Sequence, residues 1–88
     1  MARFDMSMAS NGEAATGVAA DVLFDLGMAY YLGKDVEADI AEAHKWFNLA
    51  AIRGHAKARQ YRTELAGEMD AAQLREALGR ARQWMGMH

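Results

Sequence analysis

From about Ala19 onward, apolar residues recur at spacings of three and four, the rhythm of one helix face and not the alternation of a strand. In the first such segment, about Ala19 to Leu32, Leu23, Leu26 and Tyr30 share a face with the small Gly27, and Gly33 supplies the stop. A glycine inside a helix costs roughly 1 kcal/mol relative to Ala, so Gly27 predicts the close approach of a neighbouring helix. A short connector, Lys34 to Ala38, leads to Asp39, which is placed as an N-cap with Glu42 three residues on to complete a capping box. The second predicted helix runs from about Ile40 to Arg53. Its face is Ile40, Ala43, Phe47 and Ala50, flanked by Trp46 and Ala51, and Gly54 takes the left-handed position at its end. Almost no linker remains before the third, His55 to about Ala66, which must turn straight back and bury Ala58, Tyr61 and Leu65. Asp70 and Gln73 form a second box, with Met69 and Leu74 spaced as a hydrophobic staple, and the fourth helix covers about Ala71 to Met85.

Superposing Asp70 on Asp39 places Leu74 on Ala43, Ala77 on Trp46, Leu78 on Phe47 and Ala81 on Ala50. The apolar rhythm survives while the identities change, as in a degenerate unit that closes a stack. The expected fold is therefore all-α, with about four helices as two antiparallel hairpins in a short solenoid. A helical-repeat domain over 18–88 holds one well-formed unit at about 20–54 and a closing hairpin at about 55–86. Residues 1–17, with Ser10, Asn11, Gly12 and Gly17 and no sustained apolar period, are expected to be a flexible arm.

Composition changes this picture in one respect. A chain of 88 residues buries only about 60% of the surface it exposes when unfolded. With no Cys, neither a disulfide nor a thiolate metal site can reinforce so thin a core, and association with another chain becomes the leading source of extra stability. The absence of Cys agrees with a reducing compartment. No apolar run approaches a membrane span or a signal-peptide core, so the expectation is a cytoplasmic protein with no membrane partner. Charge is uneven: up to Ile52 there are three basic and eight acidic residues, and from Arg53 onward seven basic and four acidic. An acidic face of one copy could therefore meet a basic face of another, although two solvated surfaces explain the same pattern.

Candidate chemistry is sparse. His44 and His55 lack the spacing of a zinc site, and Asp39 and Glu42 are assigned to capping, so the histidines are read as exposed or helix-end residues and no cofactor is expected. Ser7, Ser10, Thr16 and Thr63 have no His-carboxylate arrangement around them, and no glycine-rich phosphate loop is present, which argues against an enzyme. The basic second half, with Arg53, Lys57, Arg59, Arg62, Arg75, Arg80 and Arg82 beside Tyr61 and Trp84, is the competing reading as an RNA or single-stranded DNA binder. Against it, Glu64, Glu68 and Glu76 interleave at spacings that suit ion pairs within a helix.

Leu26-Gly27, Tyr30, Gly33, Val36, Asp39, Ala43, Trp46-Phe47, Ala50-Ala51, Gly54 and Ala58 stand in the order and spacing of the Sel-one-like repeat, a relative of the tetratricopeptide repeat. The chain resembles a small, bacterial-type member of that family over about Ala20 to Gln60. It departs from the pattern at Asp35, where the family usually has a second glycine. The resemblance implies a non-catalytic protein-interaction module, an adaptor or regulatory scaffold that binds a protein or peptide segment in its groove or at its open ends. The candidate partner-binding residues are Tyr31, Lys34, His44, Arg59, Arg62, Trp84 and Met85. Tyr30 should be the inner tyrosine and Tyr31 the outer one, with Trp84 in the core and Met87 exposed.

Overall fold

The computed structural model describes residues 18–87, so the arm expected at 1–17 lies outside the described residues. Four helices follow one another: α1 Ala20–Leu32, α2 Ile40–Ile52, α3 Ala56–Glu68 and α4 Ala71–Met87. No strand occurs among the described residues. α3 and α4 each run two residues past their predicted ends, because Gly67 and Gly86 continue the helix instead of stopping it.

The stops that do operate are local and physical. Gly33 takes φ 71° and donates its N–H to the carbonyl of Ala29. Gly54 reaches φ 93°, which a side chain would oppose, and so turns the chain into α3 at once. Asp35, the departure from the repeat pattern, also has a positive φ, 65°. The loop therefore keeps the left-handed backbone for which glycine is suited, and Asp tolerates it better than most residues.

The two caps differ. At Asp70 the box is complete: Gln73 N–H donates to the Asp70 carboxylate at 2.8 Å, and Asp70 N–H donates to the Gln73 side-chain oxygen at 3.0 Å. At Asp39 only half of it forms, with Glu42 N–H donating to the carboxylate at 3.1 Å. The Asp39 N–H instead donates to the Tyr30 carbonyl at 3.1 Å, because the connector folds back on the end of α1. This frees the Glu42 carboxylate from the capping assigned to it. It accepts from Lys45 Nζ at 3.1 Å and from Arg80 Nη1 at 3.2 Å.

The core lies around α2, which packs against α1, α3 and α4 in turn. Phe47 is fully buried in it. Its ring stacks on Tyr61 at 5.0 Å and meets Phe24 at 5.6 Å and Tyr31 edge-on at 6.3 Å. Gly27 faces this ring so closely that a Cβ would come within 2.6 Å of it, which explains a glycine in mid-helix. Leu23, Ala43, Ala50, Ala58, Leu65, Ala77 and Ala81 are buried as periodicity predicts, whereas Leu26, Tyr30, Ile40 and Tyr61 of the predicted faces are only half-buried. Leu49, outside the predicted face, is also buried, since a helix covered on three sides has no single apolar stripe.

The second hairpin is built differently from the first. α1 and α2 pack closely along their lengths, whereas α4 lies against α2 and makes only slight contact with α3. Small Ala77 and Ala81 let α4 approach α2. Trp84 meets Trp46 edge-on at 5.7 Å, and Arg80 reaches across to Glu42 and Asp39 at the start of α2. A hydrogen bond from Arg80 to Glu76 raises the guanidinium pKa above its ordinary value, with Glu42 adding to the effect.

Candidate functional site

Because α3 and α4 stand apart, a groove of about 380 Å³ opens between them. His44 and Asn48 of α2 form its floor. Arg62, Thr63 and Ala66 of α3 make one wall, and Leu74 and Leu78 of α4 make the other. Leu74 and Leu78 are one turn apart on the same face of α4. Leu78 stands where the cap alignment expects the counterpart of Phe47, yet it is 36% exposed while Phe47 is 0% exposed. The covering that α1 gives Phe47 is missing for Leu78, since α3 spends Tyr61 on Phe47 instead.

The polar groups of the groove are few and fixed. Arg62 Nη1 donates to Asn48 Oδ1 at 3.1 Å, which holds the guanidinium over the floor, and among the described residues no carboxylate lies within ion-pair distance of it. His44 is 2% exposed, and among the described residues its Nδ1 has no hydrogen-bond partner. Burial lowers the His44 pKa below 6.5, and the Arg62 charge lowers it further, so the ring is neutral at pH 7. The groove thus offers a fixed positive charge, a neutral imidazole and two leucines. It suits an aliphatic side chain with a carboxylate nearby, and the Thr63 hydroxyl in its wall donates to the Arg59 carbonyl.

The expected partner-binding residues do not form one patch. His44 and Arg62 line the groove, but His44 is a correction: it is buried in the floor and not on the surface, because α3 and α4 cover the flank of α2 opposite α1. Arg59 is exposed one turn before Thr63 on α3, where its carbonyl accepts the Thr63 hydroxyl. Tyr31 is the outer tyrosine, 39% exposed, with its ring edge against Tyr61 at 5.9 Å, and Tyr30 packs partly buried on the core. Lys34 is exposed in the connector, far along the chain from the groove helices. Trp84 is half-buried with Arg53 over its ring at 5.4 Å, while Met85 and Met87 are exposed beyond it. Leu74, Leu78 and Asn48 were not among the expected residues. Their spacing marked Leu74 and Leu78 as core, and nothing local announces that α3 leaves them uncovered.

His55 is a helix-end residue, with a role the sequence did not specify. It is the N-cap of α3, its Nδ1 accepting the Ala58 N–H at 3.1 Å. Its ring stacks on Phe24 at 4.3 Å, and its Nε2 lies 3.3 Å from Asp21. Among the described residues, no group of three or more His, Asp and Glu side chains is placed to hold a metal ion. Of the seven basic residues after Ile52, Arg53, Arg62 and Arg80 are engaged in internal hydrogen bonds, Arg53 to the carbonyl of Val18 at 2.9 Å. Glu76 pairs with Arg80 as the spacing predicts, whereas Glu64 and Glu68 enter no ion pair among the described residues.

Paired helices packed through small residues and aromatic fillers define an all-α helical-repeat protein with an open groove. The Sel1 repeat model matches residues 20–55, and this segment is a Sel1 repeat. Sel1 repeats in general mediate protein–protein interaction and are not catalytic. No curated protein and no solved structure gives a significant match to the chain. Among the described residues, no helix is long and apolar enough to cross a membrane.

Proposed function

We propose that the protein is a non-catalytic adaptor or regulatory scaffold that docks a protein segment in the groove between α3 and α4. The observation that carries this is the uncovered Leu74–Leu78 wall facing a guanidinium already fixed by Asn48. An apolar strip beside a pre-positioned charge is the arrangement that anchors a partner side chain while setting its orientation. The groove is polar only where specificity needs it, and its floor is a buried part of the repeat, so the site is held rigidly and needs little ordering on binding.

The test is affinity capture from the native cell with the full chain and with Leu78→Arg, which fills the groove with a charge. Gln83→Arg on the exposed side of α4 serves as the control. Helicity by circular dichroism should be unchanged in both. Loss of a captured protein in Leu78→Arg alone is the expected result. Equal capture by both variants, or by neither the variants nor the parent chain, refutes the groove as the docking site.

A further inference from the structure

We propose that the groove receives α1 of a second copy of this chain, so that copies join head to tail. This rests on reading the groove as a protein-docking surface and names its occupant.

The groove lacks a carboxylate and a covering helix face. Arg62 lines it with no acidic partner among the described residues, and Arg59 lies exposed nearby on the same helix. Leu78 is left uncovered at the position that α1 covers in the preceding unit.

The outer side of α1 supplies both. Its inner stripe, Leu23 and Gly27, is spent against α2. Val22, Asp25, Ala29 and Leu32 recur at helical spacing on another stripe of the same helix. Val22 is 51% and Leu32 63% exposed, an unusual degree for two aliphatic residues of one short helix. Asp25 lies exposed between them, with no ion pair among the described residues. The stripe therefore reads aliphatic, carboxylate, small, aliphatic, which complements two leucines beside a guanidinium.

One copy cannot satisfy itself in this way. The groove is lined by α2, α3 and α4 and by no residue of α1, whose ring contacts with Tyr61 and His55 come from Phe24 and Tyr31 and not from the outer stripe. The uneven charge of the two halves of the chain acts in the same sense, since the acidic half carries α1 and the basic half carries the groove. A contact between two different surfaces is heterologous. Each copy that docks leaves one groove and one α1 free, and the chain of copies can grow.

Sedimentation velocity of the full chain, from low concentration up to about 200 µM, reads the result directly. The mean mass should rise with concentration, and added salt should lower it. Arg62→Glu and Asp25→Lys should each weaken association by about tenfold or more, because each sets like charges together at the contact. Mixing the two single variants is the decisive arm. The first keeps a native α1, the second keeps a native groove, and the two altered surfaces are opposite in charge, so the mixture should associate although neither variant does so well alone.

A mass that stays monomeric at every concentration overturns the proposal, as does association indifferent to both substitutions or a mixture that remains monomeric. Should Arg62→Glu lose helicity, Leu78→Glu replaces it with the same expected pattern. A monomeric chain whose captured partner is still lost in Leu78→Arg sinks self-docking while leaving the groove as a site for a different protein.

Discussion

Gly27→Ala tests the packing on which the first repeat depends. At a helix position with free space, replacing Gly by Ala stabilises by up to about 1 kcal/mol. At Gly27 the new Cβ would sit 2.6 Å from Cδ1 and Cε1 of Phe47 and 3.1 Å from its Cγ. Carbon atoms in good contact are roughly 3.5 to 4.0 Å apart, so ring or helix must yield by about 1 Å. The ring cannot. Phe47 is fully buried, with Tyr61 stacked at 5.0 Å on it and Phe24 and Tyr31 against it. α1 must therefore move off α2 and loosen the contacts of Leu23 as well. Overpacking of this kind costs about 1–3 kcal/mol; with the ring held on three sides the cost falls in the upper half of that range, about 2–3 kcal/mol, and the helix-propensity gain of about 1 kcal/mol leaves a net loss of about 1–2 kcal/mol. For a domain of this size the Tm should fall by roughly 5–15 °C. Gly79→Ala is the matched control, since the nearest atom to its new Cβ is the flexible tip of Arg82 at 3.9 Å. It should raise Tm by several degrees. Thermal unfolding followed by circular dichroism measures both. If Gly27→Ala raises Tm as Gly79→Ala does, the reasoning about Phe47 is wrong.

Asp35→Gly should stabilise by about 0.5–1 kcal/mol, because φ 65° strains a residue with a Cβ; a lower Tm than the parent would contradict this. His44 gives a pH dependence. Its pKa is lowered on folding, so the unfolded chain takes up a proton that the folded one refuses. Stability is therefore full above pH 6.5 and declines as pH falls toward the folded pKa, by at most about 1.4 kcal/mol per pH unit. Urea unfolding between pH 7.5 and 5.5 (about one unit either side of the ordinary His value) should show this slope in the parent and lose it in His44→Gln; equal slopes would refute it. Ala66→Leu places an aliphatic side chain in the α3–α4 groove. It should gain up to about 1 kcal/mol by burying surface there while abolishing docking, and unchanged docking would show that the groove is not where the partner sits.

The features legible in the sequence are those decided within one or two turns. Gly27 announced a close contact, the Asp70 box is complete, and Leu23, Ala43, Phe47 and Ala50 fall on the inward face. What was not legible depends on choices between distant partners. Glu42 could have closed its own cap, but Arg80, thirty-eight residues away, holds its carboxylate instead. His44 sits on the polar flank of a helix that reads as one-sided, and it is buried because α2 is contacted from three directions. Phe24 falls off the predicted stripe of α1, yet it stacks on His55 because that histidine is fixed as the cap of the next helix but one. Each miss is a long-range contact overriding a local pattern.

The same competition explains why there is a groove at all. α3 has few large apolar residues, and it commits them early: Ala58 and Leu65 are buried, and Tyr61 lies flat on Phe47. α4 turns its small Ala77 and Ala81 toward α2 and is drawn to the same helix by Arg80 and by Trp84 on Trp46. Both helices thus satisfy α2 first, and between them remain the small Thr63 and Ala66 beside Arg62 on one side and Leu74 and Leu78 on the other. Two small residues facing two leucines cannot close a helix pair to native density, so the second hairpin stays open. Larger residues at 63 or 66 would have sealed it and gained stability. On the docking proposed above, the repeat is incomplete at the point where a side chain from outside would complete it, and binding would recover the stability forgone in the open hairpin.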